Sequence, residues 1–260
     1  MHRILLTRLA QGHRTNRMPN VAPPLPDRFR GLPVLDAKAC ASGCRACEAA
    51  CPTGAISARK GLHLDLGKCL FCTACTDACP TGAVRFTGDH RLAVSDRKDL
   101  RIDSGEGLVL AEAMGKELRR VLGRSLRLRV VSAGGCNGCE VDVNVLQTIV
   151  WDLSRFGIQY VASPRHADGM VICGPVTRNM DLAVRKTWAA IPEPKLAFAV
   201  GACAISGGPY AGQKEQLGGA AEVVPVDYFI PGCPPHPLTI LDGFLRALGR
   251  MPDQKTARKA

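Results

Sequence analysis

Aromatic residues are scarce in this chain: seven Phe, three Tyr and two Trp among 260 residues. With so few ring faces, and with no RNA- or DNA-binding motif, the formal charge of +11 does not read as a nucleic-acid surface. Long apolar runs are also missing, and none approaches the roughly 20 residues of a membrane span. The opening, Met1 to Ala10, is too short and too charged for the apolar core of a secretory signal, and there is no twin-arginine signal. The expected location is therefore cytoplasmic. Cysteine, by contrast, is plentiful, at thirteen residues. Disulfides would suit a secreted chain. These cysteines sit in tight C-x2-C clusters and read instead as reduced thiolates holding metal.

The length suggests two modest domains, and nearly half of the residues are apolar, enough to build cores. Residues 1–35 read as a basic, proline-rich arm. Ile4, Leu5, Leu6 and Leu9 alternate with Arg3 and Arg8, ahead of Arg14 and Arg17, in the pattern of a short amphipathic helix. Such a helix either docks on a membrane subunit or lipid surface or caps its own fold. Five prolines between Pro19 and Pro33 predict an extended strap.

Residues 36–100 carry eight cysteines in an internal repeat. Cys51-Pro-Thr-Gly-Ala-Ile matches Cys79-Pro-Thr-Gly-Ala-Val at an offset of 28, and Cys44 and Cys47 match Cys72 and Cys75 at the same offset. Cys40 matches Cys69 at 29, because the first copy has one extra residue. A duplication this regular implies a pseudo-twofold unit with two equivalent sites. In the C-x2-C-x2-C-x3-C-P spacing, three thiolates on a tight loop reach three irons of one cubane. The fourth, before proline, ligates the other cluster. One cluster is therefore expected on Cys40, Cys44, Cys47 and Cys79, and a second on Cys69, Cys72, Cys75 and Cys51. Zinc also accepts C-x2-C pairs, but eight cysteines with two Cys-Pro ends fit it poorly.

A helix is predicted from Leu108 to Leu122, ended by Gly123, within a helical linker 101–125. Arg85 to Asp103 reads as a solvated hairpin or loop. From Leu126 the pattern turns α/β, over 126–250. Strands are predicted at Leu126–Val131, Gly169–Cys173, Leu196–Val200 and Val223–Val226, and helices at Glu140–Phe156, Met180–Ala190 and Pro237–Leu248. A basic tail, 251–260, follows. In a mainly parallel sheet the segments leaving the strand C-termini converge on one crevice. Cys136, Cys139, Cys203 and Cys233 can meet there as four ligands of a third cluster. Cys173, ending a buried strand, reads as a small buried hydrophobe rather than a fifth ligand. Glu140 reads as an acid at a helix N-terminus rather than a proton relay. His236 is placed to hydrogen-bond a cluster or a neighbour. His63, His90 and His166 read as surface or structural.

Residues 36–86 resemble the bacterial-type two-[4Fe–4S] ferredoxins, apart from Cys40-x3-Cys44 in place of C-x2-C. Gly135-Cys-Asn-Gly-Cys-Glu140, Gly174-Pro-Val-Thr177, Gly201-Ala-Cys203 and Pro231-Gly-Cys-Pro-Pro235, in that order, resemble the small subunits of [NiFe] hydrogenases and the related subunit of respiratory complex I. The combined resemblance implies an α+β two-[4Fe–4S] ferredoxin domain followed by a flavodoxin-like α/β domain with a mainly parallel sheet. It implies three [4Fe–4S] clusters and no catalytic residue. The complex I relative has adjacent cysteines where this chain has Cys136-x2-Cys139. The resemblance therefore leans toward the hydrogenase side, and the lack of an export signal and of cysteines after residue 233 resembles group 4 membrane-bound hydrogenases, of the formate hydrogenlyase or energy-converting type. The expected partners are a hydrogenase-type large subunit, membrane subunits and a redox donor or acceptor, with no nucleic acid. The expected location is peripheral, on the cytoplasmic face of the inner membrane. The chain lacks the paired C-x2-C motifs of the nickel site, so no hydrogenase activity is expected of it alone. Two other readings stand beside this one: a subunit of a nickel-free, complex I-like quinone or ferredoxin oxidoreductase, and a structural zinc-binding interaction module.

Overall fold

The computed structural model describes residues 2–12, 14–59, 61–122 and 125–251. Gly123 and the basic tail beyond Met251 lie outside these residues. The chain opens with helix α1 (His2–Gln11) and the proline-rich strap. The Asn16 N–H donates to the Val150 carbonyl at 2.8 Å, and Arg155 donates to the Asn16 carbonyl at 2.6 Å. Two residues beyond these ties the strap inserts Met18 into the core.

The first half is built on the repeat. It contains β1 (Pro33–Leu35), α2 (Ala46–Ala50), β2 (Ile56–Ser57), β3 (His63–Asp65), α3 (Ala74–Asp77), β4 (Val84–Phe86) and β5 (Arg101–Asp103). Strand pairing is exchanged between copies: β1 pairs antiparallel with β4, and β2 pairs antiparallel with β3. Leu35 faces Val84 as Leu64 faces Ile56. Leu35 and Leu64 are 29 apart, whereas Ile56 and Val84 are 28 apart. The extra residue is thereby absorbed between Cys40 and Cys44. Gly43 and Phe71, equivalent at offset 28, both adopt positive φ, 73° and 53°. The residue ahead of each middle cysteine thus keeps a positive φ, even where this places a side chain in the left-handed region, whereas the residue after it differs, Arg45 at φ −136° and Thr73 at φ 65°.

The second half contains α4 (Lys116–Leu122), β6 (Leu126–Ser132), α5 (Gly138–Val145), β7 (Ile158–Tyr160), β8 (Gly169–Cys173), α6 (Arg178–Ala190), β9 (Leu196–Val200), α7 (Ala202–Ser206), β10 (Tyr228–Ile230) and α8 (Pro237–Ala247). Its five strands pair in parallel in the order β10-β9-β8-β6-β7. Every residue of β8 and β9 is buried. This explains why they read as continuous apolar runs: a parallel strand covered on both faces has no solvent side to alternate toward. Helix α8 is buried along its whole length. It includes Asp242 and Arg246, which pair at 2.7 Å.

The two halves share one core. Leu64, Leu66 and Ile102 from the first half join Ile172, Ala199, Ile205 and Phe229 from the second. Backbone bonds also cross the boundary. Val94 N–H donates to the Phe229 carbonyl at 3.0 Å, and Phe229 N–H returns 2.9 Å to Val94. The chain leaving the repeat thereby covers the β10 edge of the parallel sheet, satisfying groups that an open edge leaves unpaired. The Ser206 hydroxyl donates to the Gly67 carbonyl at 2.8 Å.

Several sequence expectations are corrected. The helix expected over Leu108–Leu122 forms only at Lys116–Leu122. Upstream, Ala111 N–H bonds the Ala93 carbonyl at 2.7 Å and Met114 N–H bonds the Ala247 carbonyl at 3.0 Å. Tertiary partners there replace the i−4 carbonyls, so 101–125 is not a helical linker. Its first residues form β5, which pairs with β3. The helix expected over Glu140–Phe156 ends at Val145. The strand expected at Val223–Val226 lies at Tyr228–Ile230 instead. The segment Arg85–Asp103 is no solvated loop, since Leu92, Ala93, Val94 and Leu100 are buried within it.

Candidate metal centres

The two Cys-Pro turns are near copies of each other. The Ala55 N–H donates to Cys51 Sγ at 3.2 Å, and the Ala83 N–H donates to Cys79 Sγ at 3.2 Å. The Thr53 and Thr81 hydroxyls lie 3.8 Å and 3.7 Å from the same two sulfurs. Burial pushes both thiols up, but the surrounding N–H groups outweigh it and hold each below the ordinary cysteine value. The donors are Thr53, Ala55 and Ile56 around Cys51, and Thr81, Ala83 and Val84 around Cys79. A sulfur that receives several N–H bonds carries negative charge more readily. Each turn is therefore built to present a thiolate.

Each of these sulfurs faces the other copy. Cys51 lines a cavity together with Cys69, Cys72 and Cys75, closed on its apolar side by Ile56, Leu64 and Phe86. Burial drives the Cys69 thiol up to about 12; the Phe71 N–H opposes this, and the charges of Cys75, Cys51 and Cys72 add to it. In the first copy, burial raises Cys47, and the charges of Cys40 and Cys79 raise it further. Cys44 lies in the loop entering α2, three residues before Cys47. Cys51 thus lies beside the thiols of the second copy, and Cys79 lies within electrostatic reach of Cys47 in the first. Cys40, after the longer C-x3-C spacing, is within electrostatic reach of Cys47.

The third group assembles at the C-terminal ends of the parallel strands. Cys136 and Cys139 follow β6, Cys203 lies in α7 just after β9, and Cys233 follows β10. Burial raises Cys139, and then the charges of Cys203, Glu140, Cys233 and Cys136 raise it further. Cys203 is pushed up to about 11 by burial and then by Cys233 and Cys136. Two glycines make this convergence possible. A Cβ on Gly201 would stand 2.4 Å from Cys139 Sγ, and one on Gly208 would stand 2.9 Å from Cys203 Sγ. Cys173 is wholly buried in β8, and burial raises its thiol well above the ordinary value. Glu140 is buried in the first turn of α5, and one of its carboxyl oxygens has no hydrogen-bond partner.

One relation was invisible in the sequence. Burial raises Cys233, and the charges that add to it are those of Cys136 in its own group and Cys72 in the second group. Cys72 and Cys233 are both exposed. They line a common cavity of about 550 Å³ with Phe29, Arg30 and His236. Arg30 donates to the Phe71 carbonyl at 3.0 Å, which ties the strap beside Cys72. His236 hydrogen-bonds a neighbour through one ring nitrogen. Its Nδ1 accepts the Leu238 N–H at 3.1 Å, capping α8, and its ring packs edge-on against Phe29 and Trp151.

Among the described residues, no three Cys, His, Asp or Glu side chains are placed to hold a single metal ion. A zinc ion bonded to thiolates at about 2.3 Å requires such convergence. A cage whose irons each take one thiolate does not. The soft thiolate donors, the N–H groups aimed at sulfur, the cavity lined by Cys51, Cys69, Cys72 and Cys75, and the room preserved by Gly201 and Gly208 all fit iron–sulfur clusters.

The molecule is thus defined as an iron–sulfur protein with a ferredoxin-like first half and an α/β second half on a five-stranded parallel sheet. Residues 39–83 match the 4Fe-4S dicluster domain family, and residues 136–247 match the family of the NADH ubiquinone oxidoreductase 20 Kd subunit. The chain is 41% identical over 146 residues to formate hydrogenlyase subunit 7 of Escherichia coli, covering 56% of this chain and 57% of that one. It is 37% identical over 135 residues to the probable membrane-bound hydrogenase subunit mbhJ of Pyrococcus furiosus, covering 52% of this chain and 81% of that one. It is 38% identical over 115 residues to an NADH-quinone oxidoreductase subunit of Heliobacterium modesticaldum, covering 44% of this chain and 66% of that one. The chain belongs to the 20 Kd subunit family, which spans hydrogenase and NADH-quinone oxidoreductase subunits, and it carries a 4Fe-4S dicluster domain ahead of that unit.

Proposed function

We propose that this chain is the electron-transfer subunit of a membrane-associated group 4 [NiFe] hydrogenase. Cys40, Cys44, Cys47 and Cys79 would hold one [4Fe–4S] cluster, Cys51, Cys69, Cys72 and Cys75 a second, and Cys136, Cys139, Cys203 and Cys233 a third. Bound clusters supply one-electron redox centres, ordered first, second, third along the molecule. The proximity of Cys72 to Cys233 carries this reading, since it makes the second and third groups neighbours across the boundary between the two halves.

The chain's own residues hold that arrangement rigid. Asp65 takes the Arg97 guanidinium in two bonds, at 2.9 and 2.8 Å, and accepts the Gly67 N–H at 2.9 Å. This shapes the loop just before Cys69. Gly67 in turn receives Ser206, at the end of the helix that carries Cys203. The order β7-β6-β8-β9-β10 is the flavodoxin-like doubly wound order, which supports that assignment for the second half. Such sheets place their site at the carboxyl ends of the strands, where the third group lies.

A separate large subunit would hold the nickel–iron centre beside the third group, with an outer donor or acceptor at the first. Membrane subunits of the complex would keep the chain peripheral on the cytoplasmic face. No helix among the described residues is long and apolar enough to cross a membrane. The likeness to an NADH-quinone oxidoreductase subunit favours a second reading, in which the large subunit lacks nickel and the complex acts on quinone or ferredoxin. The chain or its complex is to be assayed for iron, sulfide and nickel, with EPR of the reduced state. About twelve irons per chain are expected. Zinc in their place would sink the proposal, and a nickel-free large subunit would select the second reading.

A further inference from the structure

The outward face of α1 has no role in the arrangement above. Residues Arg3, Ile4, Thr7, Arg8 and Gln11 line a groove against residues 147–149 and 152 of the body. These positions recur at the helical repeat and define one side of α1. The other side carries Leu5, Leu6 and Leu9, which are 61%, 65% and 79% exposed. The leucines thus lie on the side of α1 away from that groove, and Ile4 at its rim is 73% exposed as well, so the fold covers none of the helix's large apolar side chains, the reverse of an ordinary surface helix. It does not cap the protein's core, since none of its residues is buried.

Two features identify what covers this face. Residues 1–26 contain four arginines, Arg3, Arg8, Arg14 and Arg17, and no acid. The covering surface is therefore anionic. The apolar contribution is Ile4, Leu5, Leu6 and Leu9 on a ten-residue helix, short of the roughly 800 Å² per partner of a standard protein interface. A lipid surface needs no shape complementarity and takes both the aliphatic side chains and the flanking arginines. Residues 14–18 are tied down by Asn16 and the buried Met18, so the helix is tethered at a fixed point on the body.

We infer that α1 is an interfacial anchor that inserts Leu5, Leu6 and Leu9 into the headgroup region of an anionic bilayer. The inference stands apart from the cluster assignments. It is tested with the full chain by flotation on vesicles of phosphatidylglycerol and phosphatidylcholine, against vesicles of phosphatidylcholine alone. Expected are binding to the anionic vesicles, weakening as salt is raised, and a loss on the order of tenfold or more in the Leu5→Asp/Leu9→Asp variant. Circular dichroism of that variant should be unchanged apart from the helix itself, because neither leucine touches the core. Equal recovery on both vesicle types, or full binding by the double variant, overturns the inference. So does a chain that ignores anionic vesicles yet needs Leu5 and Leu9 to co-purify with its partner subunits, since α1 would then occupy a protein groove.

Discussion

In the first half of the molecule the thiols of each group come from loops within about 40 residues of one another, and the copy of each turn can be laid over its twin. In the second half the four thiols span Cys136 to Cys233 and leave three different strands. The first kind of site is a local solution. A short loop and a proline set where each sulfur goes, and the surrounding sheet is small. The second kind is a product of topology, because only a parallel sheet brings such distant segments to one edge. The comparison teaches where each half is fragile. The local site depends on its turns, while the topological site depends on how closely separate backbones approach.

The largest effect should come from removing a thiol. Cys203→Ser is expected to lower the iron content from about twelve to about eight per chain while leaving the two ferredoxin groups intact. Iron and sulfide analysis with EPR checks this. Loss of all iron would break the idea that the halves load separately. Next comes Gly201→Ala. The added Cβ would stand 2.4 Å from Cys139 Sγ. The backbone there, at φ 91° and ψ 156°, costs a non-glycine residue about 1–3 kcal/mol. The third group should be lost or destabilised. Gly54→Ala in the first half meets nothing within 4 Å and should cost only about 1 kcal/mol for its positive φ, with full iron retained. Equal iron loss in the two variants would remove the distinction between local and topological sites.

A smaller effect is expected at the boundary between the halves. Ser206→Ala deletes the 2.8 Å bond to the Gly67 carbonyl and should cost about 1 kcal/mol in denaturant unfolding. Pulsed EPR of the reduced protein should show a changed coupling between the second and third groups, which a purely local loss would not produce. The smallest effect sharpens the likeness of the two turns. Thr53 and Thr81 sit at nearly equal distances from their sulfurs, but the Thr53 hydroxyl already donates to the Lys68 carbonyl at 2.8 Å. Thr81→Val should therefore lower the reduction potential of the first group, by removing a donor to Cys79. Thr53→Val should leave the second nearly unchanged. A redox titration of both variants decides it, and a shift of the second group in Thr81→Val would show that Cys79 does not cross over.

Much of this was legible in the chain. The repeat at 28 announced the pseudo-twofold half, and the alternation of strands with helices from Leu126 announced a mainly parallel sheet. Other parts were misread for identifiable reasons. Leu110 and Met114 looked like one helical face with Leu118 and Leu122, yet the first two are buried along a segment outside the helix, where N–H groups bond Ala93 and Ala247. The cap that His236 places on a helix through one ring nitrogen had no signal in its spacing from Cys233.

What the sequence determined by itself was local: the two cysteine-rich loops of the repeat, the Cys-Pro turns, and the burial of the central strands. These depend on interactions within a few residues or on apolar periodicity, and both are written in order along the chain. The tertiary structure alone decided that Cys72 lies near Cys233, that Val94 covers the β10 edge, and that α1 turns its leucines outward. Each of these depends on the packing of segments far apart in sequence, where backbone hydrogen bonds and shared burial outweigh local preference.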